Sequence, residues 1–176
     1  MISHQVVTVN LLSAYVCGPI TTPCQFTLPA FHFTSPSNFC IEIHVPTRIA
    51  ELKTKEGAPV PTGVSVLALL DTGATLTGID RSVPEVLGVP PVGQVETGTA
   101  AGKAKQSTYP ARLVFTSIPN LILEAQAAVG VDLSGLTVQF GQALPPQPII
   151  ALIGRDVLSN WLLVWNGPMG MWSISF

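Results

Sequence analysis

Val64-Ser65-Val66-Leu67-Ala68-Leu69-Leu70-Asp71-Thr72-Gly73-Ala74 is the stretch that decides the fold. Its first seven residues are apolar on both alternating faces, Ser65 excepted, which reads as a strand buried on both sides. Asp71 then places one carboxylate where that strand emerges. Gly73 lets the backbone turn without a side-chain clash, and the Thr72 hydroxyl is able to lock the turn by hydrogen bonding. A carboxylate in this setting is a turn-former or a catalytic acid.

Outward from this stretch, apolar runs stay short, and 16 Pro and 15 Gly punctuate the chain. That is the texture of a mostly β protein with tight connections. Residues 39–45 alternate apolar and polar and read as a strand. Residues 47–56 read as a short helix, with Thr47 as N-cap and Gly57 as stop. Ser82-Val83-Pro84-Glu85 fits a capping box before a very short helix that Gly88 closes. Residues 94–96 and 103–115 look like hairpin arms around Gly98-Thr99-Ala100-Ala101-Gly102. Residues 121–131 and 149–153 are further apolar strands, 156–160 a helical turn, and 161–165 and 171–176 closing strands. Residues 149–155 echo 64–73, each an apolar strand running into a Gly-containing turn. Pro19, Pro23, Pro29 and Pro36 interrupt the first 38 residues, which read as an irregular extension ahead of a domain at 39–176.

The 176 residues suffice for one domain with a real core. Charged residues are 10% of the chain, against the usual share of about 25%. With net charge −2 and only the loose pairs Lys53/Lys55 and Lys103/Lys105, the composition argues against nucleic acid as a partner. No apolar run approaches the roughly 20 residues of a membrane span. Cys17, Cys24 and Cys40 are an odd, unevenly spaced set and read as reduced, buried thiols, a Cys17–Cys24 bridge being the alternative. The free thiols and the weak leader signal together suggest a cytoplasmic location. His4, His32 and His44 have no acid or Cys at ligand spacing, so no metal and no cofactor is expected.

A second motif, Leu152-Ile153-Gly154-Arg155-Asp156-Val157-Leu158, completes a constellation. An apolar run into Asp-Thr-Gly-Ala, followed near the C-terminus by apolar-apolar-Gly-Arg-Asp, resembles the retropepsin-like aspartic proteases. The helix signal at 82–87 is more similar to bacterial and ubiquitin-receptor-associated members than to viral ones. The resemblance implies a single retropepsin-like acid-protease domain: a closed, psi-type β-barrel with a flap hairpin and one or two short helices. It implies an aspartic endopeptidase with one Asp-Thr-Gly per chain, acting on a peptide or protein as a symmetric homodimer. Asp71 would be the catalytic residue, supported in its turn by Thr72, Gly73 and Ala74. Thr72 would hydrogen-bond to the partner's turn, and Ala74 sits where pepsin-like members often carry Ser or Thr. Gly98, Thr99, Ala100, Ala101 and Gly102 would form the flap over the substrate. Gly154 would pack beneath the active-site turn, Arg155 would anchor an ion pair, and Asp156 would support both. Residues 171–176 would add a strand to the dimer sheet. Viral members often supply the arginine's carboxylate partner four residues after the catalytic Asp. Thr75 stands there, so Asp156, Asp80 or Glu85 would have to serve.

Two other functions fit parts of the pattern. Asp71-Thr72-Gly73-Ala74-Thr75 matches the Asp-x-Gly-x-Thr phosphate loop of sugar kinases and actin-like ATPases, but the chain is too short for their two halves and has no second phosphate loop. A non-catalytic dimerisation or peptide-binding module on the same fold would keep the sequence and lose only the chemistry.

Overall fold

In the computed structural model the described residues are 6–9, 14–16, 25–27, 38–99, 102–116, 120–139, 145–166 and 171–175. The protein is mostly β, as its short, turn-bounded apolar runs imply. Its strands are β1 (Val6–Val9), β2 (Ala14–Val16), β3 (Gln25–Thr27), β4 (Asn38–His44), β5 (Val64–Leu70), β6 (Gly78–Asp80) and β7 (Gly93–Thr99). They continue with β8 (Gly102–Val114), β9 (Ile122–Val131), β10 (Thr137–Val138), β11 (Gln147–Pro148), β12 (Ala151–Ile153), β13 (Leu162–Asn166) and β14 (Met171–Ser175). Among the described residues three short helices, α1 (Thr47–Lys55), α2 (Ser82–Leu87) and α3 (Arg155–Leu158), lie between them.

The central sheet runs β4-β5-β12-β6-β9-β8-β7, and β4 also pairs with β8. That extra pairing closes six strands into a ring and leaves β7 as an arm outside it. Two pairings in the ring are parallel, β5 with β12 and β6 with β9. Ile41, Ile43, Ala68, Ile79, Leu113, Ala128, Ala151 and Ile153 fill the interior at no more than 1% exposure. The alternation of strand side chains puts these residues on one face, while Cys40, Leu67 and Ile149 form a second buried cluster on the other. Phe115 and Trp161 meet edge to face at 5.4 Å, closing one side of the core.

Strand β8 is long enough to serve two purposes. Its first half pairs with β7, from Gly93↔Thr108 to Thr99↔Gly102. Its second half pairs with β9 and β4. The change falls at an irregularity between Tyr109 and Ala111, where Pro110 has no N–H to give the ladder.

Both expected helix caps differ in detail. Pro46 holds the cap position of α1 and Thr47 is its first residue; the Thr47 hydroxyl accepts no N–H of the first turn and instead donates a charge-assisted bond to the Glu124 carboxylate. In α2 the Ser82 hydroxyl and N–H both donate to Asp80 Oδ1, so Asp80 organises the turn and Ser82 does not act as its N-cap. Gly88 closes α2 as expected, in the left-handed conformation at φ 62°.

Within the first 38 residues β2 and β3 form a hairpin, and β1 pairs antiparallel with β14, giving the order β1-β14-β13. Cys40 lies wholly buried in β4 and is disulfide-bonded, to a partner outside the described residues. No described cysteine is free. The expectation of reduced thiols is therefore corrected, and thiols no longer support a reducing compartment. Among the described residues no helix is long and apolar enough to cross a membrane.

Candidate active site

The parallel register Ala68↔Ala151, Leu69↔Leu152, Leu70↔Ile153 sets the two sequence motifs side by side. Asp71 extends the ladder by one step, its N–H donating to Ile153 O at 2.9 Å. The chain then turns, and Asp71 Oδ1 accepts from Gly73 N at 2.9 Å and Ala74 N at 3.1 Å. Two backbone donors fix the half-buried carboxylate. A Cβ at Gly73 would stand 3.1 Å from that same oxygen, a tight contact that would push the carboxylate by a few tenths of an ångström. Thr72 and Gly73 are exposed beside it.

Beneath the turn, the second motif grips residues 74–77 from below. Gly154 N donates to Thr77 Oγ1 at 3.2 Å, Arg155 N to Ala74 O at 2.9 Å, and Asp156 N to Thr75 O at 3.2 Å. The Asp156 carboxylate is fully engaged. Its Oδ1 accepts from the Thr77 hydroxyl at 2.8 Å and Val157 N at 3.0 Å, and its Oδ2 from Thr77 N at 3.0 Å. Thr77 itself has no exposed surface. A buried hydroxyl that both donates and accepts is worth more than either bond alone, since losing one partner strands the other. The sequence reading missed Thr77. A Thr after an apolar residue carries no local signal when its partners lie almost 80 positions along the chain.

Arg155 is exposed and departs from the expected ion pair. Its Nη2 donates to Thr75 Oγ1 at 3.0 Å, and among the described residues no carboxylate pairs with it. Asp156 is committed to Thr77, and Asp80 to Ser82 and Leu133. The hydroxyl of Thr75 has taken the place of an acid.

Of the flap residues, Gly98 and Thr99 end β7 and Gly102 opens β8 at φ 118°, a conformation that favours glycine. Ala100 and Ala101 lie outside the described residues. The arm is held by its ladder and by an exposed Lys103–Glu96 pair at 2.9 Å. Arg81 Nη2 reaches from the head of α2 to Gln106 in β8. No group of described residues could hold a metal ion.

Residues 60–157, more than half of the chain, match the family model for aspartyl proteases. The chain belongs to the aspartyl protease family. The matched span begins just ahead of β5 and ends in α3, so it contains both motifs and the pairing that joins them. No curated protein matches the chain.

Proposed function

We propose that this aspartyl protease family member is an endopeptidase working as a symmetric homodimer, with the water activated between two Asp71 carboxyls on the two-fold axis. One observation carries the reading: Asp71 is held half-exposed at a strand end by two backbone donors, while the other nearby motif acid is spent on structure. The nearest internal match, Asp132-Leu133-Ser134-Gly135, has one residue too many between its Asp and its Gly, so it does not repeat the Asp-Thr-Gly turn. Hydrolysis of an amide by carboxyls needs a pair that shares one proton, since two like charges in contact do not both ionise cheaply. A chain with one such acid obtains the pair from a second copy.

In that pair the ionised Asp71 takes a proton from water as it attacks the carbonyl carbon, and the protonated one supports the carbonyl oxygen. Thr72 would reach the partner's turn, and the β7–β8 arm, with its tip at 98–102, would cover the peptide and exclude water. Apolar side chains around the scissile bond are the expected substrate. Asp71→Asn tests the reading. Its amide oxygen still accepts from Gly73 and Ala74, so the fold and dimer should survive while peptide cleavage falls by at least about a thousandfold. Specific activity of the unaltered protein should fall on dilution through the dimer dissociation range. Full activity in Asp71→Asn, or in a strictly monomeric sample, refutes the proposal. An intact biological effect without cleavage would support the binding-module alternative.

A further inference from the structure

Arg155 is a cation placed where nothing in the described fold uses its charge. It is the first residue of the single helical turn α3. Its backbone is committed, through Arg155 N to Ala74 O, to the turn that carries Asp71. Its side chain is exposed, and among the described residues its hydrogen bond is to a neutral hydroxyl that is itself exposed, Thr75 Oγ1 at 3.0 Å. Among the described cations only Arg112, with Glu124 at 3.9 Å, and Lys103, with Glu96, have a carboxylate partner; what sets Arg155 apart is its place beside the Asp71 turn.

The donor inventory at this spot is specific. A guanidinium carries five N–H donors in a planar fork, and the bond to Thr75 uses one. Thr75 accepts that bond, so its own O–H proton is left to donate. A fork and a hydroxyl side by side match the two oxygens of a carboxylate better than they match an amide or an apolar group. The location is also constrained. From Asp71 Oδ1 to Ala74 N, across Ala74 and Thr75, and on to the guanidinium, the chain of bonds spans at most about 13 Å. An extended peptide advances about 3.3 Å per residue, so this reach ends no more than about four residues from the scissile bond.

We propose that the Arg155 guanidinium and the Thr75 hydroxyl form a subsite for an acidic side chain, two to four residues from the bond cleaved. The inference rests on the endopeptidase reading and names its substrate class: peptides with apolar residues at the cut and a Glu or Asp nearby.

The test uses the full chain and paired peptides that differ only by Glu or Gln at the second, third or fourth position on either side of the scissile bond. At one position Glu raises kcat/KM by about fivefold, mostly through KM, and high salt erodes the gain. Arg155→Glu reverses the preference toward Lys at that position, and Arg155→Lys keeps a weaker preference for Glu. Equal cleavage of Glu and Gln peptides at every position overturns the proposal, as does a Glu preference that survives in Arg155→Glu. Conversion of Arg155→Glu to a monomer in sedimentation also overturns it, by giving the guanidinium's partner as the second subunit. If no peptide of either kind is cut, the endopeptidase reading fails with it, a result distinct from equal cleavage.

Discussion

Replacing Gly154 by Ala is the sharpest probe of how the two motifs hold the site. A Cβ at 154 would stand 2.5 Å from Leu76 C, 2.6 Å from Leu76 O and 2.8 Å from Thr77 N. These are backbone atoms, with no flexible side chain to swing aside. Restoring ordinary contact at 3.4 Å requires the two segments to part by about 0.9 Å. Hydrogen bonds of 3.2, 2.9 and 3.2 Å join residues 154–156 to residues 74–77, and all three lengthen with that movement. Overpacking of this kind costs about 1–3 kcal/mol, and each weakened bond adds up to about 1 kcal/mol. The expected loss is therefore about 3 kcal/mol, a large part of a small domain's stability.

The same displacement passes into Ala74, whose N–H helps to hold the Asp71 carboxylate. A shift near 1 Å at a reacting group is able to cost about a hundredfold in rate. Urea unfolding read by tryptophan fluorescence gives the first quantity, and peptide cleavage per folded molecule gives the second. Gly135→Ala is the control. A Cβ there meets nothing within 4 Å, and its φ is not positive. It should lie within about 0.5 kcal/mol of the parent and keep full activity. Gly154→Ala with a midpoint inside the control's range refutes the packing reasoning. Gly154→Ala that is destabilised but fully active refutes the link from packing to the carboxylate.

Asp156→Asn preserves shape but not acceptors. Asp156 accepts three bonds through two oxygens, and an amide offers one oxygen, so a donor faces Thr77 N or Val157 N whichever way it flips. A loss of about 1–3 kcal/mol is expected in urea unfolding, and a neutral result would show that the charge and second oxygen contribute nothing. Burial works against the charged form of Asp80, but hydrogen bonds from the Ser82 side chain and from Leu133 and Ser82 N–H outweigh it and hold its carboxyl below the ordinary 3.8. A group depressed on folding stabilises above its unfolded value and loses that contribution as pH falls through the folded one. Stability should therefore decline below about pH 4, and Asp80→Asn should flatten the decline in urea midpoints measured against pH. Reduction of the Cys40 bridge should lower the melting temperature by the equivalent of roughly 2–4 kcal/mol, and thiol titration of the native protein should find Cys40 unreactive.

Strand β5 was legible to the residue, because a seven-residue apolar run bounded by Gly63 and the Asp-Thr-Gly turn is too short for a buried helix. The β7–β8 arm and α2 were legible within a residue or a few, through their glycines and the stop at Gly88. What escaped was pairwise. The caps at Thr47 and Ser82 failed because Pro46 and Arg81 hold the cap positions, and the two hydroxyls donate to carboxylates instead, Glu124 in β9 and Asp80 two residues back. The lone acid at the site, Asp71, and its glycine could be read locally, but Thr77 could not, since its value lies in contacts that only the sheet order creates. The bridging of Cys40 was equally illegible, as three cysteines in one quarter of a chain do not announce which pair meets.

The alignment of β5 with β12 is what converts two distant motifs into one arrangement, and Gly154 makes that alignment unique. A one-residue slip would turn Ala151 and Ile153 outward, though both have no exposed surface, and bring half-buried Leu152 inward. It would also press Ile153 or Arg155 against the backbone of residues 76–77, where not even a methyl group fits. Only one register satisfies both the core and this contact. Once it is set, the order Gly-Arg-Asp assigns the next two side chains without further choice. Both are exposed, and they differ in partner: the Asp156 carboxylate binds Thr77, and the Arg155 guanidinium binds Thr75. The acid is consumed in holding the turn and the base is left exposed beside it. Among the described residues, the charge beside the Asp71 turn that no carboxylate pairs with is therefore the positive one.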